Sequence, residues 1–301
     1  MATVPNGDTS YVLLSAAHNE EANIGRTLET VVRQNAQPKR WIIASDNSSD
    51  RTDEIIGEFA SRHNFIEFVQ VKRPAGRNFA AKVLALREGY KRLHGSEYGF
   101  IGNLDADVVL EPSYFQDLRQ RMMEAPSLGI SSGAIYEEEN GQFQPRAHNR
   151  VYSVPHAAQL VRRACYEDIG GYAILKFGGE DTHATTSARM KGWEVKSFQD
   201  LKIYHQRHTG NTAGQLRGAF RQGQMEYHLG YDFVFEMLKC MGRMKEQPFF
   251  VAGFMRMVGF LWPYIKMDDR TVSDEFVAFI RREQRNRLSS VFASHRMEPR
   301  A

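Results

Sequence analysis

Cysteine is scarce: Cys165 and Cys240 are the only two in 301 residues, far apart and without metal-ligand spacing. That excludes a disulfide framework and a thiolate metal site, and it predicts a reduced, cytoplasmic compartment. Charge imbalance is small as well, since 39 Lys and Arg against 36 Asp and Glu leave +3, too little to argue for nucleic acid as a partner. No secretory signal opens the chain, because the first ten residues are polar. No long apolar run is present either. The longest, Phe249 to Ile265, follows Pro248, is interrupted by Arg256, and falls short of the roughly 20 residues of a membrane span. It reads as a core helix or as one lying in a membrane interface.

What is present suits a soluble globular chain: 42% hydrophobic and 25% charged residues, enough for one large core or for a domain plus an appendage. From Tyr11 to about Phe115, apolar runs alternate with helical spacing. Strands are predicted at Tyr11–Ala16, Trp41–Ala44, Phe65–Val71 and the run ending at Asp105. Helices are predicted at Glu20–Gln34, around Ile55 to Phe59, and at Asn78–Leu93. Such alternation predicts an α/β fold with a mostly parallel, Rossmann-like sheet and helices on both faces. Beyond it, Gly129–Tyr136 reads as a strand, Glu137–Gln144 as an acidic loop, and Ala157–Tyr166 as a helix or a strand. After Gly210 the chain reads helical. Residues 207–301 carry 15 Lys and Arg against 10 Asp and Glu, a net of +5, and Arg281, Arg282, Arg285 and Arg287 read as a solvated helix face.

The chemistry concentrates where strands should end. Asp105-Ala106-Asp107 places two carboxylates at the rim of the sheet, where open α/β sheets bind ligands. A strand alternates faces, so both reach one ion only if the chain turns at Ala106. Carboxylate oxygens suit Mg²⁺ or Mn²⁺, ions that bridge protein acids to substrate phosphates. His18-Asn19-Glu20-Glu21 follows the first strand, and its acids suit a helix start without any ligand. In Ser45-Asp46-Asn47-Ser48-Ser49-Asp50, Asp50 suffices to cap the next helix, so Asp46 is left to accept the ring N–H of a base. Lys72, Arg73, Arg77 and Lys82 follow the third strand, near where a diphosphate would lie. Glu180-Asp181 follows two flexible glycines, and His205 ends a later strand as a candidate third metal ligand.

In order along Tyr11 to His208, these motifs resemble family 2 glycosyltransferases of the GT-A fold. Asn19-Glu20-Glu21 resembles the family's opening segment. Ser45 to Asp50 resembles its Asp-Asp-Gly-Ser-Thr-Asp stretch, with Ser45 in place of the first acid and Asn47 in place of the glycine. Asn78 and Lys82 to Gly89 resemble its Gly-Lys-Ala-x-Ala-Leu-Asn-x-Gly helix, and Gly170-Gly171-Tyr172 its Gly-Gly-Phe. The resemblance implies a catalytic domain over 1–210, with nucleotide-sugar binding at about 11–115 and an acceptor part at about 116–210. A helical extension then covers 211–301. It further implies a nucleotide diphosphate sugar donor held by Ala16, Asn19, Glu20, Asp46, Asn78, Lys82, Asp105 and Ala106. An Mg²⁺ or Mn²⁺ ion would sit on Asp107 with Asp105 and His205. Asp181 would be the base for an acceptor hydroxyl on a glycan or lipid-linked saccharide, with Glu180 beside it. The Gln-x-x-Arg-Trp of processive members is missing from the tail, so one sugar is transferred rather than a polymer built. A polyprenyl-phosphate sugar synthase shares the fold but needs no base, so Glu180-Asp181 argues against it. A nucleotidyltransferase would carry a Gly-rich loop after the first strand. An inert nucleotide-binding scaffold would have no use for the full set of acids. The cationic, apolar tail would also suit peripheral contact with the inner face of a membrane.

Overall fold

Four short apolar strands and three helices alternate through the first hundred residues, as the spacing predicts. The structure is a computed structural model that describes residues 8–72, 80–139, 141–146, 154–206, 212–243 and 250–296. In chain order the elements begin with β1 (Tyr11–Ala17), α1 (Ile24–Val32), β2 (Arg40–Asp46), α2 (Thr52–Arg62), β3 (Ile66–Val71), α3 (Ala81–Lys91) and β4 (Phe100–Leu104). They continue with β5 (Val108–Leu110), α4 (Tyr114–Glu124), β6 (Leu128–Glu139), β7 (Gln142–Pro145), β8 (Ala158–Arg162), α5 (Arg163–Asp168), α6 (Glu180–Met190) and β9 (Glu194–His205). Four helices follow: α7 (Thr212–His228), α8 (Phe233–Arg243), α9 (Val251–Lys266) and α10 (Asp274–Arg296).

Side chains of a strand alternate between the faces of its sheet, and here both faces are apolar. Tyr11, Leu13, Trp41 and Ile43 pack with Ile24 and Leu28 of α1, Ile56 of α2, and Phe115 and Leu118 of α4. Their neighbours Val12, Leu14 and Ile42 pack on the other side with Val83 and Leu86 of α3 and Ala184 and Ala188 of α6. Helices therefore cover both faces, which is why the strands read as continuous apolar runs rather than as alternating ones.

The nine-stranded sheet runs β3-β2-β1-β4-β8-β6-β9-β5, with β7 beside β6. Its first four strands are parallel, as expected. The rest is mixed rather than mostly parallel, because β8 returns antiparallel to both β4 and β6. Two local expectations change. The first helix starts at Ile24, not Glu20, because Asn19 is left-handed (φ 52°) and the Glu20 carbonyl takes the Asn23 and Ile24 N–H groups in a turn. The acidic stretch after Tyr136 is a hairpin, not a loop. Its glutamates stay on β6, Gly141 turns at φ 80°, and Glu138 pairs with Phe143. Residues 157–166 hold a strand followed by a helix.

The chain divides into two compact units, Met1–Ile174 with Glu180–His208, and Leu175–Gly179 with Thr209–Ala301. The second is built on α7 and α9, which approach closely at two glycines. A Cβ on Gly223 would come within 2.0 Å of the Arg256 carbonyl oxygen, and one on Gly259 within 2.0 Å of that of Phe220. Arg256 is buried and ion-paired with Glu226 and with Glu236 (3.1 Å), and Lys239 joins both acids. Of the four arginines expected to be solvated, Arg281 donates to the Gly230 carbonyl (2.9 Å), Arg285 donates to Asp232 (3.3 Å), and Arg282 lies over the Phe279 ring at 5.1 Å. The α9 helix buries Gly253, Arg256, Gly259, Phe260 and Pro263 but leaves Phe254, Leu261, Trp262 and Ile265 exposed. Among the described residues, no helix is long and apolar enough to cross a membrane.

Candidate active site

Parallel strands end on one side, so β1, β2 and β4 deliver Ala17, Asp46 and Leu104, and the residues after them, to one rim of the sheet. The loops after β1 and β2 interlock there. Asn19 Oδ1 accepts the Ser49 N–H (2.8 Å), and the Asn19 N–H donates to Ser48 Oγ (3.2 Å). The Glu20 N–H donates to Thr52 Oγ1 (2.7 Å) and the Glu21 N–H to Asp50 Oδ2 (3.1 Å). Asn19 thus spends its side chain on bracing the second loop. Glu20 is buried and accepts from Asn23 (3.2 Å). Asp46 is buried at the strand tip, with its carbonyl hydrogen-bonded to the His18 ring (2.6 Å). Ala16 pairs with Ala44 one turn of the pleat earlier.

The chain does turn at Ala106, and the Thr27 hydroxyl reaches the carbonyls of both Ala106 (3.0 Å) and Val108 (2.9 Å). The turn separates the two acids. Asp105 takes the Lys82 ammonium at 2.6 Å and the Asn103 amide at 3.3 Å. Asp107 instead lies 3.5 Å from His205 Nε2, because β5 and β9 pair with Val108 opposite His205. The expected trio therefore divides into a pair and a single acid. Among the described residues, no three His, Cys, Asp or Glu side chains gather as a metal-holding group. The Asp107–His205 pair still suits a hard divalent ion. It offers one carboxylate oxygen and one imidazole nitrogen, and among the described residues the buried Nδ1 of His205 has no hydrogen-bond partner. Two protein ligands leave positions for phosphate oxygens and water, the usual way such ions meet substrate phosphates.

Lys82 is the hub of the remaining acids. Burial pulls its pKa down, but Asp105, Glu180 and Asp181 outweigh burial and hold the ammonium above its ordinary range. Burial raises the Glu180 carboxyl, Lys82 opposes that rise, and Asp181 adds to it. Asp181 begins α6, where its Oδ1 accepts the Thr182 N–H (2.6 Å). Residues 82, 105, 180 and 181, remote along the chain, thus share one electrostatic environment. Lys72 is exposed after β3. Arg73, Arg77 and Asn78 lie outside the described residues.

His156 belongs to this cluster and was not singled out by its sequence context. Its Nδ1 lies 3.9 Å from Glu180 Oε1, and its ring meets Tyr172 edge-on at 4.3 Å. The available signal was its place just ahead of the apolar run 157–161, which pairs with the strand bearing Asp105.

The chain was compared with known proteins. The model of "Glycosyl transferase family 2" matches residues 13–192. A probable glycosyltransferase of Bacillus subtilis (strain 168), YdaM, is 29% identical over 208 residues, covering 62% of this chain and 48% of that protein. The poly-beta-1,6-N-acetyl-D-glucosamine synthase of Staphylococcus epidermidis is 34% identical over 203 residues, covering 64% and 47%. The chain thus spans about half the length of these curated relatives. Among solved structures, the Pyrobaculum calidifontis mannosyltransferase PcManGT in complex with GDP-Man and Mn²⁺ aligns with a TM-score of 0.55 at 14% identity, over 97% of this chain and 83% of that one. S. aureus TarS 1-349 in complex with UDP-GlcNAc aligns at 0.53 and 14%, over 90% and 78%. At that identity the likeness is one of fold, and it is the expected GT-A architecture.

Proposed function

Because this chain belongs to glycosyl transferase family 2, whose model covers more than half of it, we propose that it moves one sugar from a nucleotide diphosphate sugar to an acceptor hydroxyl, with inversion. The observation that carries the reading is the partly buried Lys82–Asp105 ion pair (2.6 Å), whose ammonium also feels the charges of Glu180 and Asp181. Asp181 takes the proton of the acceptor hydroxyl as its oxygen attacks the anomeric carbon opposite the leaving diphosphate. Glu180 hydrogen-bonds the reacting sugar, and Asp46 accepts the ring N–H of the base. Ala16, Asn19, Glu20, Asn78, Lys82, Asp105 and Ala106 form the donor side. Asp107 and His205 would hold Mg²⁺ or Mn²⁺, while Asp105, paired with Lys82, stays on the donor side. The ion's chemistry is to neutralise charge on the departing diphosphate, worth several kcal/mol.

A UDP-sugar is the proposed donor, supported by the UDP-GlcNAc complex of TarS and by the poly-beta-1,6-N-acetyl-D-glucosamine synthases among the relatives. The proposed acceptor is a glycan or lipid-linked saccharide of cell-envelope polysaccharide synthesis. The exposed apolar face of α9 supports peripheral contact with the membrane that carries such an acceptor.

A melting screen tests the reading, with UDP-GlcNAc, UDP-glucose and GDP-mannose each added with Mn²⁺, Mg²⁺ or EDTA. A UDP-sugar at about 100 times its Kd should stabilise by about 2.7 kcal/mol, raising the midpoint by roughly 5–10 °C. EDTA should abolish most of that shift. No shift with any nucleotide sugar under any condition would end the proposal.

A further inference from the structure

We propose that His156 reads the hydroxyl groups of the transferred sugar, giving the site part of its sugar specificity. The inference rests on the nucleotide-sugar reading above and adds a residue to it. His156 is 6% exposed, and among the described residues neither ring nitrogen has a hydrogen-bond partner. A buried imidazole with both nitrogens idle is unusual, because buried polar groups almost always find partners. Its place in the fold is fixed by other bonds. The Asn103 amide donates to its carbonyl, the Asp105 N–H to the next carbonyl, that of Ala157 (2.8 Å), and Tyr172 packs edge-on against the ring while donating to Gln159 (2.6 Å). The ring is held, but its nitrogens are left for something else.

The surroundings select the chemistry of that partner. Antiparallel pairing of Leu104 with Ala158 places His156 across from the Asp105-Ala106-Asp107 turn, and its Nδ1 is 3.9 Å from Glu180 Oε1. A phosphate would meet carboxylates there, and Lys82 is already committed to Asp105 at 2.6 Å. A neutral imidazole offers one N–H donor and one lone pair, the complement of a sugar hydroxyl, which both donates and accepts. The transferred sugar must lie between the diphosphate, on the Asp107 side, and the base Asp181. His156 lies opposite the turn that leads to Asp107 and 3.9 Å from Glu180, the residue that precedes the base.

The test is isothermal titration of the wild-type protein, His156→Phe and His156→Gln in the presence of Mn²⁺. The titrants are UDP-GlcNAc and GDP-mannose, each against its free nucleotide diphosphate. The Phe variant keeps the ring and its contact with Tyr172, whereas the Gln variant restores one donor and one acceptor. Whichever nucleotide sugar the wild type binds should bind about tenfold more weakly to the Phe variant, the worth of one to two hydrogen bonds. It should partly recover in the Gln variant. Affinity for the free nucleotide should stay within twofold throughout, which also reports an intact fold. Equal loss of nucleotide and nucleotide sugar makes His156 structural, and no loss of either removes it from recognition. Both results overturn the proposal while leaving the transferase reading standing. A wild-type protein that binds no nucleotide and no nucleotide sugar overturns both.

Discussion

Glu180 and Asp181 are chain neighbours at the start of one helix, and their surroundings give them different work. Asp181 sits where the helix N-terminus favours an anion, with the Thr182 N–H on its Oδ1. A carboxylate held in place this way is positioned to act as a base. Asp181→Asn should lower transfer by about 10²–10⁴-fold, the usual contribution of a positioned base, while nucleotide-sugar affinity stays near wild type. Full transfer by that variant would remove Asp181 from the role. Glu180 is the costlier neighbour, because burial lifts its pKa above 4.5 in the folded state. A carboxyl raised on folding binds its proton more tightly when native, so it does not weaken the fold below about pH 4.5. Its cost appears as pH rises through the raised value. Glu180→Gln should therefore melt higher than wild type at pH 8, and the gap should close toward pH 4. A variant melting lower at pH 8 would mean that the Lys82 contact outweighs burial.

At the scale of elements, two glycines of α7 make opposite demands. A Cβ on Gly218 meets nothing within 4 Å, whereas one on Gly223 would strike the α9 backbone. Gly218→Ala should stabilise by about 0.5–1 kcal/mol through helix propensity alone. Gly223→Ala should destabilise by about 1–3 kcal/mol, because the helices must separate. Urea denaturation followed by circular dichroism reads both, and shifts of the same sign would contradict the crossing. The sequence carried no sign of that crossing, since helical spacing shows which residues turn inward but not which backbone they meet. What was legible followed from local pattern. The apolar runs from Tyr11 to Leu104 announced buried parallel strands, and His205 stood at a strand end as expected. What escaped depended on pairing distant in sequence. The β5–β9 register does set Asp107 beside His205, as the resemblance implied, but nothing in the local pattern announced that Lys82, on α3, would take Asp105 at 2.6 Å. The segment Leu175–Gly179 likewise belongs with the helices beyond residue 208, where Phe177 stacks on His228 at 4.7 Å.

At the scale of the whole molecule, the apolar surface of the second unit needs an occupant. Phe233, Met237 and Met241 form an exposed stripe on α8, and Phe254, Trp262 and Ile265 lie exposed on α9 at 61%, 41% and 73%. Exposed apolar stripes on adjoining helices commonly mark a surface that meets a partner or a membrane. The sequence left α9 as either a core or an interfacial helix, and the structure gives it a buried face and an exposed one. Lys266 lies over Trp262 at 5.5 Å, a cation beside an aromatic anchor, which suits the headgroup level of an anionic bilayer. Three side chains roughly half exposed contribute about 3 kcal/mol on entering the interface, near a hundredfold in partitioning. The intact chain should therefore float with vesicles containing phosphatidylglycerol, and less with pure phosphatidylcholine. The triple variant Phe254→Ser, Trp262→Ser, Ile265→Ser should stay at the bottom of the gradient with its nucleotide-sugar binding unchanged. If wild type and variant float alike, the α9 face is not the anchor. If neither floats and the wild type sediments as a dimer that the variant loses, a second copy of the chain covers that face instead of lipid.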